Sequence, residues 1–513
     1  VSQTIRNSSA KVSGALACVL AIVCASAWIR VPGFVRGGFA SYDVGGILYN
    51  AMLIRTGQLP YVASVELKPP GSFYLAAILA GPEGRDIASL QIAANAWALC
   101  SLSALAFVAW RAFGPWAAVL ASGLYALHDA HFDTMDANYV TWAQLPLTLA
   151  LACGIEAVRA KRSCSRYGWL FGAGACVGLA TLAKQPSALA FLPLALVGIR
   201  AKASVRDVLC QAGLVFAGGL TAQLPVMFHY AAAGQLSTLL SSYPIGEWNV
   251  RYVERHVEGP VTTLLFEGVL ASVHFLALPL ALAGFAVAAP KRGCSRELLP
   301  LLAGWSAVMW ISASLGLRFY KGYFVPLLSP LCVLAVAPWG VLGRQHDVRT
   351  TLHALALVPM LMLGVRQGNQ LANARARRSA PSDLASRRIA DHIARQTSAH
   401  DRIWVWGWHL WGVYAQSGRL SGTRVYKALG ILTPPNDDTW RRPASPQTFV
   451  SGPWGQQVVE ELVASETAYI VLGSTVPHHD FTGLRELLAR DYVKDESIRV
   501  GKVELWRRTG RAR

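Results

Sequence analysis

Asp43, Tyr61, Glu66 and Lys68 fall within one short stretch, and Glu66-Leu67-Lys68-Pro69-Pro70 sets a carboxylate and an ammonium two residues apart before a proline pair. Further on, Asp136 with Asn138, Lys184 with Gln185, and Arg318 with Lys321 and Tyr323 interrupt long apolar runs. Ionisable groups beside hydrocarbon are costly and tend to face protein interior or aqueous cavities, which makes each of them a functional candidate. Carboxylates suit proton transfer, and cations suit the stabilisation of negative charge. Asp and Glu in these stretches could also hold Mg²⁺, although no spacing demands it. For any single residue, Asp133 for example, solvation at the interface is a sufficient account. The set taken together argues for a shared site.

The elements that position these residues are membrane helices and the outer loops that join them. Of 513 residues, 53% are hydrophobic and 15% charged, with a mean hydropathy of +0.36. Soluble domains carry about 25% charged residues, so an ordinary globular enzyme is excluded. Apolar runs near the roughly 20 residues that cross a bilayer are expected at 12–30, 87–110, 114–130, 139–158, 168–183, 186–199, 207–231, 262–288, 297–315, 320–340 and 350–366. The apolar piece Ser72–Ala80 is too short to cross and is expected on the outer surface. The spans 168–183 and 186–199 meet at Lys184-Gln185-Pro186, where a tilted or broken helix is expected. The run Val12–Ile29 follows Arg6 and Lys11 but has no clear cleavage site, so it is expected to be a retained first helix.

The formal net charge of +18 fits a membrane protein better than a nucleic-acid binder, because no basic helix or aromatic-basic interleaving occurs. Arg111, Lys161–Arg166, Arg200–Arg206, Lys291–Arg296 and Arg344–Arg349 all fall on one side, which the positive-inside rule makes cytoplasmic. Residues 31–86, 131–138, 232–261 and everything after 367 then lie on the opposite face. The similar loops KRSCSR and KRGCSR are short basic turns and belong to no longer repeat. All nine cysteines lie between Cys18 and Cys332 without a CxxC pattern, so a tail on the outside would fold without disulfides.

The expected division is a membrane module over 1–366, whose first outer loop (31–86) carries interfacial helices, and a soluble α/β domain over 367–513. Ala372–Gln396 reads as a helix along the membrane surface, Arg402–Gly407 as a strand ending at glycine, and Ala468–Leu472 as a β-branched strand. Leu484–Arg490 reads as a helix and Gly501–Arg507 as a last strand. Trp404, Trp406, Trp408 and Trp411 suit tail packing or headgroup anchoring better than a sugar-stacking platform.

The order Asp43, Gly57-Gln58-Leu59-Pro60-Tyr61, Glu66-x-Lys68-Pro69-Pro70 resembles the first outer loop of GT-C glycosyltransferases of family 39, which includes lipid A aminoarabinose transferases and protein O-mannosyltransferases. Trp110–Gly114, Gly178–Pro186, Arg318–Phe324 with Pro330, and Asp401–Trp408 extend the resemblance over most of the chain. It implies a GT-C type polytopic α-helical protein of about 11 transmembrane helices with a small periplasmic α/β domain, in a bacterial inner membrane with its N-terminus cytoplasmic. It also implies an inverting enzyme that moves a sugar from a polyprenyl-phosphate donor to an envelope acceptor (glycan, lipid A or protein). By that resemblance Asp43 takes or orients the acceptor proton, and Lys68 holds the donor phosphate, helped by Lys184, Arg318 and Lys321. Tyr61 and Glu66 shape the site and hold Lys68, while Asp136, Asn138, Gln185 and Tyr323 contact sugar or acceptor. Relatives often carry a histidine where this chain has Gly322 before Tyr323, and an acidic residue near Tyr139 and Val140. These departures bear on substrate more than on reaction class. A flippase of a lipid-linked precursor is the rival expectation and predicts internal repeats; a non-catalytic scaffold would leave the first-loop charges unexplained.

Overall fold

The computed structural model describes residues 2–31, 34, 42–129, 134–197, 204–247, 250, 259–273, 277–288, 294–341, 362, 364, 366 and 381–510. Asp133, the loops 291–293 and 344–349, and nearly all of the expected span 350–366 lie outside them. The chain forms two compact units: one of residues 1–34, 94–225 and 259–376, the other of 35–93, 226–258 and 377–513.

The first unit is helical. Among the described residues five helices are long and apolar enough to span a membrane: Val12–Ile29, Ile87–Phe113, Tyr139–Arg159, Val205–Ala232 and Lys321–Trp339. Val261–Ser272 and Leu298–Ser314 are shorter apolar helices. Large apolar side chains such as Leu20, Phe216 and Phe228 stay exposed, as expected of surfaces that meet lipid rather than water. Between helices the contacts use small and polar residues. A Cβ at Gly174 would stand 1.9 Å from the Val215 carbonyl oxygen, so only glycine fits there. Ser329 Oγ bonds Thr148 Oγ1 at 2.7 Å and accepts from Gln144 Nε2 at 3.1 Å. The junction at Lys184 is broken: helix Ser163–Ala183 ends, and a 3₁₀ turn Gln185–Ala190 leads to the short helix Phe191–Ala195. Pro186 and Pro193 deny a continuous ladder its N–H groups, so the expected span 186–199 does not form as one helix.

The second unit is built on a four-stranded sheet of β1 (Ile403–Trp406), β2 (Tyr469–Leu472), β3 (Tyr492–Lys494) and β4 (Glu504–Arg508), in the order β1-β2-β4-β3. β1 and β2 are parallel; β4 pairs antiparallel with β2 and β3. The expected α/β character of the tail is therefore present, with β3 as an added short strand. Alternation along the strands feeds two cores. Ile403, Val405, Tyr469 and Val471 face one, with Ile389, Ala390, Ile393, Tyr414 and Tyr49. Trp404, Trp406, Ile470 and Leu472 face the other, with Val458, Leu462, Leu484 and Leu487.

In helix Pro381–Gln396, Ile389, Ala390 and Ile393 are fully buried in the sheet core. In helix Tyr42–Arg55, Val44 to Leu53 are all buried, and Tyr49 and Leu53 join that same core. A helix apolar on every side must be enclosed on every side. Gly57 closes it at φ 77°, a left-handed turn that lets Gln58 N–H donate to Leu53 O at 2.8 Å. Trp404, Trp406 and Trp411 pack as expected: all three are buried, and Trp404 Nε1 donates to Val425 O at 2.9 Å.

Candidate active site

The residues singled out from the sequence divide between the two units: Asp43, Tyr61, Glu66 and Lys68 in the sheet-based unit, the others in the helical one. In the sheet-based unit, Glu66 is the anchor. It is buried, and its Oε2 accepts from Lys427 Nζ at 2.6 Å, Tyr426 OH at 2.5 Å and Asn50 Nδ2 at 3.2 Å. Its Oε1 accepts from the Leu67 and Lys68 backbone N–H groups at 2.9 and 3.1 Å. Burial works to raise the Glu66 pKa, but Lys427 and the donors around it outweigh burial and hold the carboxyl below its ordinary value.

Lys68 is gripped from the other side as well, because Tyr61 OH donates to its carbonyl at 2.6 Å. Burial pushes the Tyr61 phenol well up, so it stays a donor at neutral pH. Tyr61 sits at φ 64°, a costly conformation for a bulky residue. Neighbouring bonds fix it: Tyr230 OH donates to Pro60 O at 2.7 Å, and Arg424 Nη2 donates to Tyr61 O at 3.3 Å. Glu66 and Tyr61 thus hold Lys68 by its main chain, leaving a half-buried ammonium on a fixed stem.

Asp43 lies in the first turn of helix Tyr42–Arg55, where the helix dipole favours a carboxylate. The glycines after it are close-approach positions. A Cβ at Gly45 would stand 2.7 Å from the Gly412 nitrogen, and one at Gly46 would stand 2.6 Å from Lys427 Cε and 2.9 Å from Nζ. Lys427 also lies 5.0 Å from the Trp411 ring centre. Lys427, Tyr426 and Asn50 were not legible in the sequence. The Gly45-Gly46 pair was the one available signal, since adjacent glycines in a helix cost stability unless something presses against them.

In the helical unit, Lys184 Nζ stands 4.5 Å from the Tyr323 ring centre, so two of the expected residues meet. Arg318 is buried and flanked by Leu317 at φ 57° and Phe319 at φ 53°. Phe319 is pinned against Gly268, where a Cβ would stand 2.3 Å from its ring. Lys321 is exposed, and Gln185 opens the 3₁₀ turn. Asp136 is buried with Oδ1 accepting from Ala137 N–H at 2.9 Å, and Asn138 caps helix Tyr139–Arg159 by accepting from Tyr139 N–H at 2.6 Å.

Arg30, unflagged in the sequence, governs this region. Fully buried, it pairs with Asp129 and donates to Asn95 Oδ1 at 3.2 Å, Thr134 O at 3.0 Å and Thr134 Oγ1 at 2.9 Å. Asn95 Nδ2 in turn donates to Met135 O at 3.1 Å. The two residues before Asp136 are therefore fixed by their carbonyls. Among the described residues no group of three or more His, Cys, Asp or Glu side chains is placed to hold a metal ion.

Residues 67–229 match the family described as dolichyl-phosphate-mannose-protein mannosyltransferase, a match that opens one residue before Lys68. Among solved structures, ArnT from Cupriavidus metallidurans in the apo state is similar with a TM-score of 0.62 at 14% identity, over 96% of this chain and 98% of that one. The same protein bound to undecaprenyl phosphate gives 0.60 at 14% identity, over 95% and 97%. The oligosaccharyltransferase AglB from Archaeoglobus fulgidus, in complex with an inhibitory peptide and a dolichol-phosphate, gives 0.51 at 15% identity, over 88% and 69%. No curated protein matches the chain by sequence. The expected resemblance is borne out at the level of the fold: the chain shares the fold of ArnT over nearly its whole length.

Proposed function

We propose that the chain is a glycosyltransferase that moves a sugar from a polyprenyl-phosphate donor to a cell-envelope acceptor, with inversion. The observation that carries this is the Lys68 cradle, an ammonium held through its own main chain by a buried glutamate and a strained tyrosine, in the segment where the family match begins. Solved relatives of the same fold hold undecaprenyl phosphate and a dolichol-phosphate.

In the reaction, an acceptor hydroxyl attacks the anomeric carbon and forms the new glycosidic bond. The bond from that carbon to the lipid phosphate breaks, and its electron pair leaves with the phosphate. Asp43 receives or orients the hydroxyl proton; general-base help of this kind is worth about 10²–10⁴-fold. Lys68 meets the charge growing on the leaving phosphate, with Lys184, Arg318 and Lys321 as further cations. A fixed cation does not have to reorganise as that charge appears, which is the source of its advantage over water. Tyr61 and Glu66 set the position of Lys68, while Asp136, Asn138, Gln185 and Tyr323 contact sugar or acceptor. The placement of basic loops supports about 11 spans in a bacterial inner membrane, with the active face and a 367–513 domain outside the cytoplasm.

The test is transfer in proteoliposomes from a panel of radiolabelled polyprenyl-phosphate sugars to native membrane extract, by wild type and Asp43→Asn. Label reaching an acceptor with wild type alone supports the assignment. Equal transfer by both proteins removes Asp43 from the mechanism, and no transfer from any donor by folded protein removes the reaction.

A further inference from the structure

The motif residue Gln58 has no part in the Lys68 cradle; it lines a separate cleft. This cleft, wholly within the sheet-based unit, has a volume of about 290 Å³ and is bordered by Gln58, Arg402, Thr423, Arg424 and Glu461. That is near the lower end of ligand sites, which run from about 300 to 1,000 Å³, a size for one sugar-sized group rather than a chain. Its floor is set by Tyr49, whose OH accepts from Ser421 N–H at 3.3 Å.

The polar groups of the cleft are unevenly used. Glu461 Oε2 accepts from Thr423 Oγ1 at 2.5 Å and Arg424 N–H at 2.7 Å, and Oε1 accepts from Gln457 Nε2 at 2.7 Å. A carboxylate has about four acceptor positions, so one remains for a hydroxyl. Neither guanidinium, of Arg402 or of Arg424, has a carboxylate partner among the described residues, and that of Arg424 gives one donor, to Tyr61 O at 3.3 Å. Two guanidiniums on one small cleft, each with forked donors to spare, match the oxygens of a phosphate or carboxylate. Gln58 and Glu461 match hydroxyls.

We infer that this cleft binds an anionic sugar, one bearing a phosphate or a carboxylate, as a recognition element of the acceptor. The acceptor role rests on the glycosyltransferase assignment above. The cleft adjoins the cradle through a short covalent and hydrogen-bonded path: Arg424 holds the Tyr61 carbonyl, and the Tyr61 hydroxyl holds the Lys68 carbonyl. An occupant would therefore be anchored beside the segment that carries Lys68 without using it.

The test is binding by titration calorimetry to the full chain in detergent, with glucose 1-phosphate, glucuronate, glucose and inorganic phosphate as probes. Wild type is compared with Arg402→Gln and with the double variant Arg402→Gln/Arg424→Gln. Glucose 1-phosphate or glucuronate is expected to bind at least tenfold tighter than both glucose and inorganic phosphate, and the better of the two names the anion. Each guanidinium removed should weaken it about tenfold, with unchanged thermal unfolding in Arg402→Gln, where the guanidinium is half-buried, and with unfolding measured alongside in the double variant, which also gives up the Arg424 bond to Tyr61 O. Glucose binding as tightly as its anionic forms, inorganic phosphate binding as tightly as a sugar anion, or unaltered binding in the double variant would each overturn the inference. Because binding is read without turnover, an absent transfer reaction leaves the cleft intact and refutes only its acceptor role. Active transfer with unaltered binding in the double variant refutes only the cleft.

Discussion

Replacing Lys427 with methionine removes the cation from a carboxylate that has no access to water. The Glu66 side chain is 0% exposed and that of Lys427 is 9% exposed, with 2.6 Å between the charged atoms. Removing one partner of a buried pair costs about 3–5 kcal/mol. Here Tyr426, Asn50 and two backbone N–H groups remain on Glu66, which places the cost near the lower end, about 3 kcal/mol. At about 2–4 °C per kcal/mol for a unit of this size, the melting temperature should fall by about 6–12 °C. The pH dependence should change sign as well. In the wild type the folded pKa of Glu66 lies below 4.5. Its contribution is then complete above about pH 4.5 and is lost as pH falls through the lower folded value. Without Lys427, burial dominates, the folded pKa rises above the unfolded one, and stability falls as pH increases. Thermal unfolding in detergent between pH 4 and 8, for wild type, Lys427→Met, Glu66→Gln and the double variant, reads both effects. The double variant should recover most of the loss, since no charge is left unpaired. A Lys427→Met protein with wild-type melting and slope would refute the claim that this pair anchors Lys68.

Lys68→Ala should raise the KM for the lipid-phosphate donor about tenfold or more while leaving the acceptor KM unchanged, and initial-rate kinetics with each substrate varied would show the opposite split if Lys68 served the acceptor. Gly46→Ala, which drives a methyl to within 2.6 Å of Lys427 Cε, should reproduce part of the melting loss of Lys427→Met without removing a charge; wild-type melting would mean that Lys427 can move without consequence. Arg30→Met leaves the Asp129 carboxylate buried without its guanidinium and should cost about 3–5 kcal/mol, seen as heat-induced aggregation at lower temperature. Arg30→Lys should not restore it, because a single ammonium cannot serve Asp129, Asn95 and Thr134 together.

Much of the framework is set by short-range features and was therefore legible in the sequence. A run of some twenty apolar residues matches the thickness of the hydrocarbon core, and among the described residues Ile87–Phe113 and Val205–Ala232 are helices long and apolar enough to cross it, where hydropathy placed them. Pro186 forecast the break after Lys184, and β-branched runs ending at Gly407 and Gly473 forecast β1 and β2. The first-loop motif marked Glu66, Lys68 and Tyr61 as a group. What holds that group was not legible. Lys427 stands 361 residues from Glu66 and sits in an unremarkable stretch of the tail, and Arg30 looks like any basic residue closing an apolar helix. Nor did the sequence show that helix Tyr42–Arg55 is buried on every side from Val44 to Leu53. The physical reason is the same in each case. Crossing a membrane is a property of some twenty consecutive residues, whereas a buried charge requires a partner that folding can bring from anywhere in the chain.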